Sequence, residues 1–360
     1  MKLGIVGLPN VGKSTLFNAL TGAGAETGAY TNAAARPNLG SAKVPDSRLD
    51  WLAEYYHPKK YSPASIDFVD IPGVSPGSGK GSATLQTIRQ TDALVHVVRC
   101  FENDELFLEG ADPARDAEEL DTELILADME VVERRLDKAR KASKSGDKKS
   151  RRESEMCQAL LDHLSDGKPA RSFAFTEEDE DILQDGGLLT VKPVIYAANL
   201  DEDGMADVAN NAHFAALRAI AEAQGAAVLP VAAKFEEDIS DMDAEEAAVF
   251  MEELGLTERG LDRLIRTSYD LLGYISFLTA GEDDVHAWTI VRGTKAPRAA
   301  GKIHSDIERG FIRAEIVAFE DLKACGTMAA AREKGLLRLE GRDYVMQDGD
   351  VTNFRFNVSK

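Results

Sequence analysis

The chain has 360 residues, 44% apolar and 29% charged, which excludes a wholly disordered protein and leaves room for two or three domains at about 150 residues each. Its 42 Lys and Arg against 62 Asp and Glu give a net charge of −20. A globally basic nucleic-acid binder is excluded, because phosphate neutralisation needs cations in excess.

The first elements alternate. Leu3-Gly4-Ile5-Val6 reads as a short buried strand, and Ser14 to Leu20 as the helix after it. Because that strand starts so early, no signal peptide is expected. Ile66 to Val69, Ala93 to Val98, Val194 to Ala198 and Ala227 to Val231 are further apolar, β-branched runs bounded by Gly and Pro. Such runs with helices between them predict an α/β domain with a doubly wound parallel sheet over residues 1–272.

A stretch of different grain, 115–185, interrupts it. Leu120, Leu124, Met129, Val132 and Leu136 recur at helical spacing, as do Met156, Leu160, Leu161 and Leu164. Two amphipathic helices around a polar, Gly-containing turn form a helical hairpin or coiled coil, or else lie flat on the sheet. Between Arg134 and Arg152 there are ten Lys or Arg against two Asp. This run is either a solvated face or a docking tip for an anionic partner such as RNA. Residues 273–360 change again, to strands at Ile275 to Thr279, His286 to Ile290, Glu315 to Ala318 and Phe354 to Val358, with a short helix at Ser305 to Arg309. That pattern is a small α+β unit. No run of about 18 apolar residues marks a membrane span. Cys100, Cys157 and Cys325 are too few and too scattered for a disulfide framework, which fits a reducing, cytoplasmic location.

Gly7-Leu8-Pro9-Asn10-Val11-Gly12-Lys13-Ser14 matches G-x-x-x-x-G-K-[ST] between a strand and a helix. There the backbone N–H groups cradle phosphates at a helix N-terminus, Lys13 reaches the β- and γ-phosphates, and the Ser14 hydroxyl ligates Mg²⁺. Asn10, Val11, Gly12, Lys13, Ser14 and Thr15 are the phosphate-binding candidates. Asp70-Ile71-Pro72-Gly73 fits D-x-x-G, with Asp70 supporting the metal through water and the Gly73 N–H sensing the γ-phosphate. Val74 follows, where a water-orienting glutamine is common, and an apolar side chain cannot orient water.

The base-reading element is expected at the end of a later strand, at Asn199-Leu200-Asp201-Glu202. Guanine readers use N-K-x-D, whose Asp accepts from guanine N1–H and the N2 amino group. Here Leu200 stands for the Lys and Glu202 for the Asp, which favours adenine, a base lacking both donors. Ala232-Ala233-Lys234 either completes the base pocket or is an ordinary strand exit. The six histidines show no metal spacing, and His96 within its strand reads as a core residue.

Together these residues resemble the YchF / Obg-like ATPases. The likeness runs through Gly4 to Leu20, Phe68 to Ile71, His96 to Asp104 and Asn199 to Glu202, then Ala287 to Ile290, Ala299 to Asp306, Gly310 to Glu315 and Asp348 to Val351. The resemblance implies an Obg-type P-loop domain over 1–272 carrying a coiled-coil insertion, then a TGS (β-grasp) domain over 273–360. It also implies slow ATP hydrolysis and association with the ribosome; the chain is expected to be a monomer. In that reading Lys13, Asp70 and Gly73 serve the reaction, and ATP binds more tightly than GTP. The chain departs from the family pattern at Ala34, in place of a metal-binding threonine, in a shortened stretch at Gly79 to Ser82, and at Leu108, near a family loop histidine. A nucleotide-gated module with little hydrolysis and a conventional GTPase switch are the alternatives.

Overall fold

The computed structural model describes residues 2–24, 37–74, 77, 83–103, 107, 109–144, 146–179, 187–240 and 242–357. Ala34, Gly79 to Ser82 and Leu108 lie outside them. The chain divides into two units, 1–41 with 67–264, and 42–66 with 265–360.

The first unit is built on a six-stranded sheet in the order β2-β4-β1-β5-β6-β7. Its strands are β1 (Lys2–Val6), β2 (Asn38–Lys43), β4 (Ser65–Asp70), β5 (Ala93–Arg99), β6 (Val194–Asn199) and β7 (Ala227–Val231). The pairs β1–β4, β1–β5, β5–β6 and β6–β7 are parallel. Every residue of β5 and β6 is buried, as expected of strands covered on both faces. This is the α/β P-loop architecture that the alternating pattern predicts.

His96 is 2% exposed within β5, and its ring lies 5.1 Å from that of Tyr196. Burial drives its pKa down to about 4, against the pull of Asp121 and helped by Arg171 and Lys13. It is a neutral core residue. Cys100 is likewise buried, and burial pushes its thiol up to about 12, so it packs rather than reacts.

The interruption is a helical hairpin. Helix α4 (Pro113–Ser143) is 31 residues long, about 46 Å at 1.5 Å per residue, and α5 (Lys148–Ser165) returns along it. Both start at an aspartate cap: Asp112 accepts from the Arg115 N–H, and Asp147 from the Lys149 and Ser150 N–H groups. The two halves of α4 do different work. Ala117, Leu120 and Leu124 join the core of the sheet, whereas Val132 and Leu136 pack with Met156, Cys157, Leu160 and Leu164 in a separate apolar cluster. The flat-helix alternative thus describes only the first half. Asp128, fully buried, accepts from Leu189 N at 2.7 Å and from Thr190 N and Oγ1 at 2.8 and 2.7 Å, fastening the returning chain ahead of β6.

The second unit holds a six-stranded sheet ordered β11-β10-β12-β8-β9-β3. Here β8 is Tyr274–Ala280, β9 Asp284–Val291, β10 Phe311–Ala318, β11 Arg338–Glu340 and β12 Asp350–Phe356. Helices Ala296–Ile303 and Ser305–Arg309 lie between β9 and β10 in the chain, and Phe277, Ile290, Ala299, Ala300, Ile316 and Phe354 share one core. Only Ser305–Arg309 coincides with the expected helix; Ala296–Ile303, Phe319–Cys325 and Met328–Glu333 are additional.

The boundary expected at 272 also differs from the observed division, because residues 42–66 go with this unit. Strand β3 (Lys60–Ser62) pairs in parallel with β9. On helix α2 (Ser47–Tyr56), Arg48 donates to Asp348 at 2.7 Å, and Asp348 also accepts from Ser276 N at 2.8 Å. The Trp51 ring meets that of Phe319 edge-on at 5.7 Å.

His96 generates a pH prediction. Its folded pKa lies below the ordinary 6.5, so its contribution to stability is complete above pH 6.5 and is lost as the pH falls towards 4, where only the unfolded chain takes the proton. Denaturant unfolding should show a component of about 1.4 kcal/mol per pH unit across that window. His96→Phe, which keeps a planar ring beside Tyr196, should remove that component and leave the rest of the slope.

Candidate nucleotide-binding site

Strand β1 runs into the Gly7–Gly12 loop and then into helix α1 (Lys13–Thr21). Asn10 and Gly12 take positive φ, 64° and 95°, which turns successive amides toward one side and makes an anion-binding concavity. Gly12 is required twice over: its backbone is left-handed, and a Cβ there would sit 2.3 Å from Asn199 Nδ2.

Lys13 opens α1 but is only 6% exposed, because its Nζ folds back to donate to the Leu8 carbonyl at 2.6 Å. Burial lowers its pKa to about 8, with Asp70 opposing the shift. Ser14, half-buried in the next position, donates its hydroxyl to Asp70 Oδ2 at 2.7 Å. These two residues are 56 apart in sequence. They meet because β1 and β4 are parallel with Ile5 opposite Asp70, so both strands end at the same level. Thr15 follows, half-buried in the first turn, and Val11 is 1% exposed.

The turn after β4 is fastened to the P-loop. Ile71 N donates to Ile5 O and Val74 N to Gly7 O, both at 3.2 Å. Gly73 lies so close that a Cβ would come within 2.8 Å of the Pro9 N and Cα. Val74 is 2% exposed, and its side chain belongs to the sheet core.

Asn199 ends β6 and is 5% exposed. Its Nδ2 donates to Val11 O at 2.9 Å, and its Oδ1 accepts from Ala233 N at 3.0 Å. It is therefore a strut between the P-loop and the turn after β7. The structure does not bring Leu200 to this site. Its N donates to Val231 O, and its side chain, 3% exposed, packs with Met205 and Phe214. Asp201 caps the short helix Glu202–Ala206 by accepting from Gly204 N at 2.8 Å, while Glu202 is exposed in the first turn. Lys234 is exposed and paired with Asp238 at 2.8 Å.

The G-x-x-x-x-G-K-[ST] pattern does not reveal the Leu8 carbonyl, which holds the lysine. Gly73→Ala is expected to separate the Asp70 turn from Pro9. Calorimetry should find triphosphate affinity lowered more than diphosphate affinity, with secondary structure unchanged by circular dichroism.

Comparison with known proteins agrees with this geometry. Residues 2–135 match a family described as "50S ribosome-binding GTPase", and residues 274–357 match YchF-GTPase_C, described as a protein of unknown function. The chain is 51% identical to the ribosome-binding ATPase YchF of Bacillus subtilis (strain 168), with 99% of each covered. It is 40% identical to Obg-like ATPase 1 of Oryza sativa subsp. japonica, over 100% of this chain and 93% of that one. The solved structure of the Schizosaccharomyces pombe YchF GTPase superimposes with a TM-score of 0.86 at 35% identity, covering 99% and 97% of the two chains.

Proposed function

This chain belongs to the YchF family of Obg-like ATPases, and from that membership we propose that it binds ATP with Mg²⁺, hydrolyses the β–γ phosphoanhydride slowly, and acts as a monomeric, cytoplasmic, ribosome-associated switch. The observation that carries the reading is the Ser14–Asp70 hydrogen bond beside a lysine that rests on the Leu8 carbonyl. Hydroxyl and carboxylate are the hard oxygen donors that Mg²⁺ takes, and one or two protein groups beside the phosphates suffice for it. Bound there, Mg²⁺ would neutralise charge on the β- and γ-phosphates. Lys13 exchanges the Leu8 carbonyl for phosphate oxygens and stabilises charge developing in transfer. Asp70 would support the metal through water, and Gly73 would present its N–H to the γ-phosphate. Asn10, Val11, Gly12 and Thr15 line the phosphate path.

Base choice rests on Glu202. It is exposed at the start of its helix and one methylene too long for the guanine reader's carboxylate position. Leu200, sunk in the core, gives the base no cationic stem to lie on. Calorimetry should therefore find ATP bound more tightly than GTP. Glu202→Asp should narrow the gap, each base contact being worth on the order of 1–3 kcal/mol when buried. Leu200→Lys is unsuitable as a companion change because it would bury a charge. The apolar, buried Val74 favours a second reading, a nucleotide-gated module that scarcely hydrolyses. Single-turnover assays with ATP and GTP side by side separate the two.

The relatives are named as ribosome-binding, and the basic end of the hairpin offers a surface that escapes the acidic average of the chain. Lys138, Lys141, Lys144, Lys148 and Lys149 are exposed there. Arg151 pairs with Glu155 at 3.1 Å, and Arg152 is tied to Thr176, Glu178 and Asp179. The lysines are thus the better phosphate contacts. Lys141, Lys144, Lys148 and Lys149 changed together to Glu should weaken ribosome co-sedimentation, flatten its salt dependence by nearly one unit per charge, and leave ATP affinity intact. Undiminished pelleting across a salt series would move the contact to another surface.

A further inference from the structure

Arg99, the last residue of β5, is the bulkiest fully buried side chain among the described residues, at 2% exposure. A buried cation is costly unless it is paired and hydrogen-bonded, and here the pairing is incomplete. Its guanidinium donates to Gly110 O at 3.0 Å and to Glu109 O at 3.4 Å, and lies 3.8 Å from the Phe107 ring centroid. Asp116, in the first turn of α4, is 3.8 Å away and is shared with Arg115. Arg99 Nε has no hydrogen-bond partner among the described residues. Nearby, Ala111 N donates to the Glu102 carboxylate at 3.0 Å, which closes the base of the same turn.

Arg99 and Phe107 line a cavity of about 460 Å³ together with Leu8, Pro9 and Val11. That volume holds several waters. Leu8, Pro9 and Val11 of the P-loop thus border open space, while Pro9 also packs against Gly73 of the turn after β4, so the backing of the loop depends on what confines that space. We propose that Arg99 is a positioning residue for nucleotide hydrolysis: by gripping Glu109 and Gly110 beneath the Phe107 ring, it fixes the outer wall behind Leu8 and Pro9. This rests on the ATPase reading above. The cation serves the purpose because a planar guanidinium spans two carbonyls and stacks on an aromatic ring at once, which neither lysine nor an apolar side chain can do.

The test is single-turnover ATP hydrolysis by the full chain carrying Arg99→Ala, with nucleotide affinity and hydrogen exchange at Gly110 and Ala111 measured in parallel, with and without added methylguanidinium. Hydrolysis should fall about tenfold or more while affinity stays within about threefold. Exchange at Gly110 and Ala111 should rise, and methylguanidinium should restore part of both. Phe107→Ala, at a half-exposed position, keeps the arginine and should shift hydrolysis and exchange in the same direction; it decides the matter if Arg99→Ala does not fold. Hydrolysis equal to the parent in these variants, or a loss that follows melting temperature and is not rescued, overturns the proposal. A parent chain that hydrolyses neither ATP nor GTP would instead remove the ATPase reading, and this inference with it.

Discussion

The parallel pairing of β1 with β4, which sets Ile5 opposite Asp70, is the constraint on which the site depends. Two parallel strands that end at the same level deliver their loops to one edge of the sheet, the usual place for ligands in α/β folds. One of those loops carries Lys13 and Ser14, and the other carries Asp70 and Gly73. No local preference could bring Ser14 within 2.7 Å of a carboxylate 56 residues away. Asn199 adds the third support, since its amide joins the loop after β1 to the turn after β7. With every support made of backbone or short side chains, the loop approaches its neighbours so closely that Gly12 and Gly73 have no room for a Cβ.

Charge is distributed with the same economy. The chain is strongly acidic, yet two cations, Lys13 and Arg99, are buried beside the P-loop, and a group of lysines is exposed at the end of α4. The buried pair and the exposed group face opposite demands. Lys13 is held by the Leu8 carbonyl at 2.6 Å, and burial lowers its pKa to about 8. The hairpin lysines keep their water, and screening over about 8 Å at physiological salt limits how much of the acidic surface they feel. One continuous helix joins the two settings: its first turns belong to the core of the sheet, and its last turns carry the basic end.

The second unit shows how a short excursion is absorbed. Residues 42–66 leave the first sheet after β2 and return as β4, and in between they supply a three-residue strand and a ten-residue helix to the other sheet. The three-residue strand is too short to declare itself, and the helix, although Leu49, Leu52, Ala53 and Tyr56 recur at helical spacing, carries no local signal of which sheet it serves. Their stability comes from partners such as Asp348, some 300 residues along the chain from Arg48, and from Trp51 against Phe319.

What the sequence by itself determined was whatever repeats locally. Short β-branched runs gave the strands, helical periodicity gave the hairpin, and the glycine–lysine–serine spacing marked the P-loop, because steric and hydrogen-bonding preferences act within a few residues. Asp70 and Asn199 were legible as motif members for the same reason. Only the tertiary structure decided that Leu200 turns into the core, that Asp201 serves as a helix cap, that Arg99 grips a neighbouring turn, and that residues 42–66 go with the C-terminal sheet. Each of these depends on contacts between residues remote in sequence or on which way one side chain faces. Packing and desolvation settle such choices, and a one-dimensional pattern does not record them.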